Sequence, residues 1–407
     1  RQLAELIEQA KKSDSAEIVP VNPQNHYALS HAQKRLWILE QVEQGAAAYN
    51  IPRAWLVEGP LNISAFQKAF QTVVDRHESL RTGFIVVDGE PQQQIHQQMT
   101  FRIETLDLSQ QTDAEAQAKE YARQEAATPF DLSQVPLLRV KLLKLPTHQV
   151  LLLNMHHIIS DAGSLDVLAK EVLMLYSAYL DGKDNPLPPL KIQYKDFSAW
   201  QNTLLASEKI KAHQDYWLHK LAGDLPVLDL PSDYTRPTLK TFNGQTQRFE
   251  LTENITNRLN QLSSTRDVSL FMVLVALVKV LLYRYTMQKE IIVGTPMTGR
   301  SHVDLENQMG FYVNMLALRD TLQPTDSFAQ LLEQVKQTCT EAYVHQIYPF
   351  DKLVEELALE RDMSRAALFD VMVVQHTQEE QDVAGVLNQA DLRIADFDFA
   401  NQTSKFD

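Results

Sequence analysis

Two adjacent histidines carry the richest local chemistry in this chain, in the run His156-His157-Ile158-Ile159-Ser160-Asp161. Neighbouring side chains on an extended strand point to opposite faces, so one imidazole can face a cavity while the other faces the protein body. A neutral imidazole, with an ordinary pKa of about 6.5, is suited to accept or hold a proton from an attacking amine or alcohol. Asp161 stands four residues after His157, where it can orient the loop by pairing with an arginine, the kind of partner a buried carboxylate requires. Zinc is a competing chemistry, but no third ligand stands at a conventional spacing and HExxH is absent. Two hydrogen-bonded core histidines are the competing structural reading, and the residues by themselves leave that choice open. Other histidines, among them His26, His31 and His345, form no clear constellation.

The elements around the pair have the grammar of strand, loop and helix. Leu137 to Leu145 and Val150 to Met155 read as strands separated by Pro146-Thr147-His148. The second strand runs into the histidines. Ser164 is then expected to cap a helix whose apolar face carries Leu165, Leu168, Val172, Leu175 and Tyr179. A loop at a strand end is where α/β sites commonly form. Upstream, Asn62-Ile63-Ser64 offers a cap for a helix carrying Phe66, Phe70, Val73, Val74 and His77, and Asp88-Gly89 reads as a hairpin turn. The Pro-rich DNPLPPLKI (184–192) reads as a lobe boundary. Beyond it come a helix over 268–285, a strand IIVGTP, a loop through Arg300, helices near 326–345 and 351–360, and a strand LFDVMVVQ. The opening residues place Leu3, Ile7 and Ala10 on one helical face before a Ser/Asp/Pro linker, with the fold proper starting near Tyr27. No short-period repeat is found.

Composition narrows the class. At 407 residues and 46.5 kDa the chain suits two lobes rather than one core. A formal net charge of -14 and a pI near 5.3 argue against a nucleic-acid or anionic-membrane surface, while leaving room for a local basic patch that receives an acidic carrier protein. Cys339 is the single cysteine; it sits in a helix-like stretch and reads as a buried, inert thiol. The most apolar segment, Leu270 to Leu282, falls short of the roughly 20 residues of a membrane span and contains Lys279, so it is expected as a buried core helix. With charged, helical opening residues and no disulfide pair, the cytoplasm is the expected compartment.

MHHIISDAGS resembles the HHxxxDG motif of the condensation domains of nonribosomal peptide synthetases, in the chloramphenicol-acetyltransferase-like superfamily. Six further blocks follow the family order: SHAQKRLWIL from Ser30, RHESLRTGF from Arg76, YKDFSAWQ from Tyr194, GFYVNMLALR from Gly310, HQIYPFDKLVEEL from His345 and RDMSRAALFDVMVV from Arg361. HHxxxD alone is shared across a large acyltransferase superfamily, whereas seven ordered blocks are specific. The resemblance covers residue 27 to the end. It implies an α/β (α+β) fold of two chloramphenicol-acetyltransferase-like lobes in a V-shaped pseudo-dimer with a central tunnel. Residues 1–22 would be the end of an upstream carrier-protein helix and linker, 23–187 the N-terminal lobe and 188–407 the C-terminal lobe.

The implied activity is amide-bond formation between a donor acyl or peptidyl thioester on an upstream carrier protein and an aminoacyl acceptor on a downstream one. An adenylation domain would be the neighbour, and the phosphopantetheine arms would belong to the carriers, with no cofactor bound by the domain itself. His157 would face the tunnel and act on the acceptor amine, as general base or by positioning it, and His156 would be structural. Asp161 would form an ion pair, with Arg300 as first candidate partner and Arg76 as second. Ala162, Gly163, Ser164 and Asn314 would lie along the substrate tunnel, although a plain loop-to-strand hydrogen bond is an equal reading of Asn314. Tyr194, Trp200, Trp37, Phe350 and Phe369 read as core aromatics.

Two departures stand out. Ala162 occupies the usual glycine position, with Gly163 one place later, which would reshape the tunnel if that position needs a positive φ or a close backbone approach. The ending ANQTSKFD resembles the start of a late family strand, so the domain is expected to be truncated. A heterocyclisation domain would replace the two histidines by aspartate, and a dual epimerisation-condensation domain would carry an extra early histidine motif. An L-to-L elongation domain is the leaning. An epimerase and a catalytically silent docking platform are the alternatives, and donor, acceptor and the nature of the upstream module stay open.

Overall fold

The computed structural model describes residues 17–43, 47–359, 362, 364–376, 392–399 and 404. The expected helix at residues 1–10 lies outside these, as does most of the ending from residue 400. The first half runs β1 (Tyr27–Ala28), α1 (His31–Glu43), β2 (Asn50–Glu58), α2 (Ile63–Arg76), β3 (Thr82–Val87), β4 (Glu90–Ile95), β5 (Glu104–Asp107), α3 (Ala114–Ala127), β6 (Leu138–Lys144), β7 (Gln149–His156) and α4 (Ala162–Leu180). The second runs α5 (Tyr194–Leu205), α6 (Lys211–Lys220), α7 (Glu253–Arg266), α8 (Leu270–Thr286), β8 (Glu290–Met297), β9 (Asn314–Thr321), α9 (Phe328–Val344), α10 (Phe350–Glu356) and β10 (Arg393–Asp396).

The strand that ends in the histidines is the middle of a five-stranded sheet ordered β10-β2-β7-β6-β5, with only the β5–β6 pair parallel. Seven of its eight residues are buried, which suits a strand covered on both faces and explains its unbroken Val-Leu-Leu-Leu run. Helices α2 and α4 cover one face. Asn62 caps α2 by accepting the Ala65 amide at 3.0 Å, and the buried row Phe66, Ala69, Phe70, Val73 meets Leu168, Val172 and Tyr176 of α4. His77, expected on the α2 face, instead ends that helix with φ -102°. Asp88 and Gly89 both take positive φ, 52° and 85°, as a tight hairpin turn demands. That turn joins β3 to β4 in a separate sheet ordered β1-β4-β3.

The second half builds its own core around β8 and β9, an antiparallel pair backed by α8 and α9. The strand expected over 368–375 reduces to a short ladder on β8, with Gly294 N donating to Val371 O at 2.9 Å and Val373 N to Gly294 O at 2.9 Å. Helix α8 buries Val273, Val275, Ala276 and Leu282 but leaves Leu277, Leu281 and Tyr285 exposed, so it is a core helix on one face only. Among the described residues no single helix is long and apolar enough to cross a membrane. Cys339 is buried against this core, and burial pushes its thiol up to about 11.

The halves interlock. Residues 392–399, grouped by sequence with the second lobe, lie on the first: β10 pairs with β2, Leu392 joins the first core, and Phe397 packs with Ala54 and Val150. Nothing in the local pattern of Arg393–Asp396 says which sheet edge it completes, because strand pairing depends on a partner far away in sequence. Ile18, Ile192, Tyr194, Phe197, Leu305 and Tyr312 form a small cluster of their own, and Arg35 of α1 meets Asp351 of α10 at 2.7 Å.

One charged pair lies inside the second core. Lys279 of α8, 0% exposed, pairs with Asp320 of β9 and donates to Leu318 O at 2.8 Å, while Thr338 of α9 donates to Asp320 at 2.6 Å. Removing one charge strands the other without water. Lys279→Met is expected to cost about 3–5 kcal/mol, and the double variant with Asp320→Leu to recover much of that loss. Denaturant unfolding of the three proteins checks this; equal midpoints for single variant and wild type would contradict it.

Candidate active site

β7 ends at His156, and His157–Ile159 form one 3-10 turn before α4. The two imidazoles diverge as strand geometry requires. His156 is 1% exposed, accepts the Ile158 amide on Nδ1 at 3.1 Å, lies between the rings of Tyr49 and Phe130, and turns Nε2 toward Glu40 at 3.9 Å. His157 is half-buried. Its Nδ1 lies 2.9 Å from the Ser160 carbonyl, which can only accept, so Nδ1 carries the proton of that bond. The ring of Phe311 packs edge-on against it at 4.9 Å.

Asp161 is the structural hinge of the loop. Its carboxylate accepts from Ser164 N (2.8 Å), from Arg300 Nη1 (2.7 Å) and Nη2 (2.9 Å), and from Tyr312 N (3.1 Å). The Ser164 hydroxyl lies 2.8 Å from both this carboxylate and the Gly310 carbonyl, to one of which it gives its proton. That same oxygen accepts from Gly310 N and from Arg300, each at 3.0 Å. Arg300 donates further to Gln308 O at 3.1 Å and lies over the Tyr312 ring at 4.5 Å. The paired side chains are 3% and 9% exposed, so this bidentate pair is a buried one.

Several expected positions change. Arg76 is not on Asp161: its Nε bonds Glu171 of α4 at 2.9 Å, and His77 takes the other Glu171 oxygen at 2.8 Å. Glu171 lies further along α4, and α2 runs beside that part of the helix rather than beside its start. Ser164 is not the helix cap. Asp161 is, because its carboxylate reaches the third amide of α4, and Ser164, 0% exposed, is too deep to line a tunnel. Asn314 makes the loop-to-strand bonds that are its alternative reading, donating to Gln346 O (2.8 Å) and Tyr348 O (2.7 Å) and accepting from Phe350 N (2.9 Å).

Ala162 is the first residue of α4, exposed and without positive φ, so its methyl meets no strain. The close approach falls one residue later. A Cβ on Gly163 would stand 2.9 Å from Arg300 Nη1 and 3.1 Å from its Cζ, so the guanidinium lies against bare backbone. Ala162 and Gly163 do border a cavity of about 1450 Å³ that runs along α4 past Leu165, Asp166, Leu151 and Leu153, with His157 outside its lining. Among the described residues no cluster of three or more metal-ligating side chains occurs.

Two polar residues near the loop carry no local signal. Gln33 of α1 donates to Ile158 O at 3.3 Å, and Tyr194, expected as a plain core aromatic, has its hydroxyl 2.8 Å from Ser30 Oγ. Both sit inside blocks that resemble the family, which is the signal that could have found them. Trp37, Trp200, Phe350 and Phe369 pack in or against the cores.

The fold has close counterparts among solved structures. The X-domain from teicoplanin biosynthesis superposes with a TM-score of 0.84 at 23% identity, over 96% of this chain and 86% of that one. The first condensation domain of the calcium-dependent antibiotic synthetase, in complex with a substrate analogue, gives 0.75 at 20% identity, over 94% and 87%. The fold is therefore the mixed α/β, chloramphenicol-acetyltransferase-like one. At the level of sequence, the Condensation domain profile matches residues 23–407. Tyrocidine synthase 3 of Brevibacillus parabrevis is 42% identical over 407 residues, and bacitracin synthase 3 of Bacillus licheniformis 40% identical over 404. The chain belongs to the condensation domain family of nonribosomal peptide synthetases. It spans 6% of the length of each of those two relatives.

Two outcomes follow from the buried pair. Asp161→Ala leaves Arg300 charged in a site that excludes water, so a loss of about 3–5 kcal/mol is expected, read as a lowered thermal midpoint; a melting curve matching wild type would remove the pair from the stability account. Gly163→Ala is expected to displace the guanidinium and lower the midpoint clearly. Ala162→Gly should cost no more than a helical glycine does, about 1 kcal/mol. The reverse ranking would place the close approach at residue 162.

Proposed function

We propose that this domain forms an amide bond between two carrier-bound substrates, an upstream acyl or peptidyl thioester and a downstream aminoacyl thioester. The observation that carries the reading is His157, half-buried just past the end of β7, with its Nδ1 held 2.9 Å from Ser160 O. The acceptor's α-amine attacks the donor thioester carbonyl. A C–N bond forms, the C–S bond breaks, and the thiolate leaves on its carrier arm. The attacking nitrogen acquires positive charge and passes a proton to the His157 imidazole, which returns it to the departing sulfur. An α-amine with an ordinary pKa of about 7.7–8.0 already has a usable neutral fraction, so positioning the amine matters as much as deprotonating it. Asp161 and Arg300, committed to each other, hold the loop rather than exchange protons with substrate.

The phosphopantetheine arms belong to the carrier proteins, and an adenylation domain is the expected neighbour that selects the acceptor. An elongation domain of the L-to-L type fits the retained His156-His157 pair, and the cytoplasm is the expected compartment. We place the boundary of the lobes near residue 188 and assign residues 392–399 to the first, on whose sheet β10 pairs. A silent docking platform has one observation in its favour: the X-domain of teicoplanin biosynthesis, a fold neighbour, is also known in a complex with OxyB. The intact His157 site favours catalysis.

Reconstitution with two loaded carrier proteins decides between them. The catalyst transfers the donor to the acceptor and leaves a longer thioester on the downstream carrier, whereas a platform binds both and makes nothing. His157→Ala is expected to lower transfer by about 100-fold or more while keeping the wild-type melting curve. Near-normal transfer by that variant would take His157 out of the mechanism.

A further inference from the structure

The segment Gly310–Tyr312 reaches from the second half to the histidine loop and is fastened at three consecutive residues. Gly310 N donates to Ser164 Oγ at 3.0 Å, and Tyr312 N to Asp161 at 3.1 Å. Between them, the Phe311 carbonyl accepts from Tyr194 Oη at 2.7 Å. This middle fastening bears on His157, because the Phe311 ring is what packs against that imidazole.

The hydroxyl of Tyr194 has one proton, and a carbonyl only accepts, so the proton goes to Phe311 O. The 2.8 Å contact with Ser30 Oγ then runs the other way, with Ser30 donating to Tyr194. Ser30 in turn accepts the Gln33 amide on Oγ at 3.2 Å and gives its own amide to Gln33 Oε1 at 3.2 Å. Gln33 Nε2 reaches Ile158 O, next in the chain to His157. Thus the residue following His157 and the ring packed on it are both tied to the same corner of α1. Ser30, Gln33 and Tyr194 are 0%, 1% and 1% exposed, which leaves no solvent to replace a lost partner. Burial holds the Tyr194 phenol far above its ordinary pKa, so it stays a donor at any working pH. The ring itself is fixed by packing: an ideal Cβ on Gly310 would fall 1.9 Å from Tyr194 Cδ2.

We infer that Tyr194 is a positioning residue for His157, and that its hydroxyl sets the imidazole's orientation through the Phe311 carbonyl. The inference rests on the reading of His157 as the reacting group. Tyr194→Phe is the informative change, since it keeps the packed ring and removes only the oxygen.

Two readouts test it on the same domain, one of them independent of turnover. In nitrogen-15-labelled histidine spectra, the His157 ring resonances should move in Tyr194→Phe while those of distant His213 and His345 stay. In the two-carrier reaction, kcat should fall about 10-fold with KM for the loaded acceptor carrier within about twofold, the split expected of a misplaced reacting group. Ser30→Ala should change both readouts in the same direction and by less, and carries the test should Tyr194→Phe not fold. Unmoved His157 resonances with wild-type kcat overturn the inference, as does a kcat loss that merely tracks the unfolded fraction. A wild-type domain that makes no product defeats the condensation reading instead, and the ring resonances then decide the positioning role alone.

Discussion

The buried ion pair of Asp161 and Arg300 joins residues 139 positions apart and holds the site together. Burying two charges is costly, and their attraction offsets that cost only when the remaining donors and acceptors are also satisfied. Here Asp161 meets the cap of α4, the guanidinium and the Tyr312 amide at once, and Ser164 closes the gap between them. One carboxylate therefore does three jobs: it starts a helix, neutralises an arginine and docks a segment from the second half of the chain. The fork of Arg300 needs a flat surface to lie on, which explains a glycine at 163.

A second polar knot supports the same helix further along. Arg76 and His77 share the two oxygens of Glu171, tying the end of α2 to the middle of α4. With one knot at the start of α4 and another along it, the helix after the histidine loop is held against both its neighbours. Reactive groups perform best on such rigid supports, because a small error in placement is expensive in rate. His156 contributes in the same sense: buried and bonded to the Ile158 amide, it shapes the turn that presents its neighbour.

Much of this was legible in the residues. The strand-loop-helix order around the histidines, the Asp88-Gly89 turn and the divergence of His156 from His157 follow from period and turn chemistry, which are local. Arg300 could be named as a partner only because a resemblance supplied the family's order of blocks. Where the reading missed a partner across the fold, the missing information was a distant contact. Arg76 and Arg300 look equally suitable by composition, and the path of α2 beside α4 decides between them. Ser164 has the composition of a cap but is displaced from that job by Asp161, whose carboxylate reaches further. Glycine's importance moved from position 162 to 163 because it depends on where a guanidinium lies, not on backbone torsion.

By itself, then, the sequence determined the class through its resemblance to the condensation family in seven ordered blocks, while the histidine pair at a strand end was legible as a pattern of nearby residues. Only the tertiary structure decided which side chains meet. It placed β10 on the sheet of the other half, gave Glu171 rather than Asp161 to Arg76, and brought the Tyr194 hydroxyl to the Phe311 carbonyl. The physical reason is common to all three. Strand pairing, charge pairing and buried hydrogen bonds are settled between elements far apart in the chain, where each partner's identity permits several matches and packing selects one.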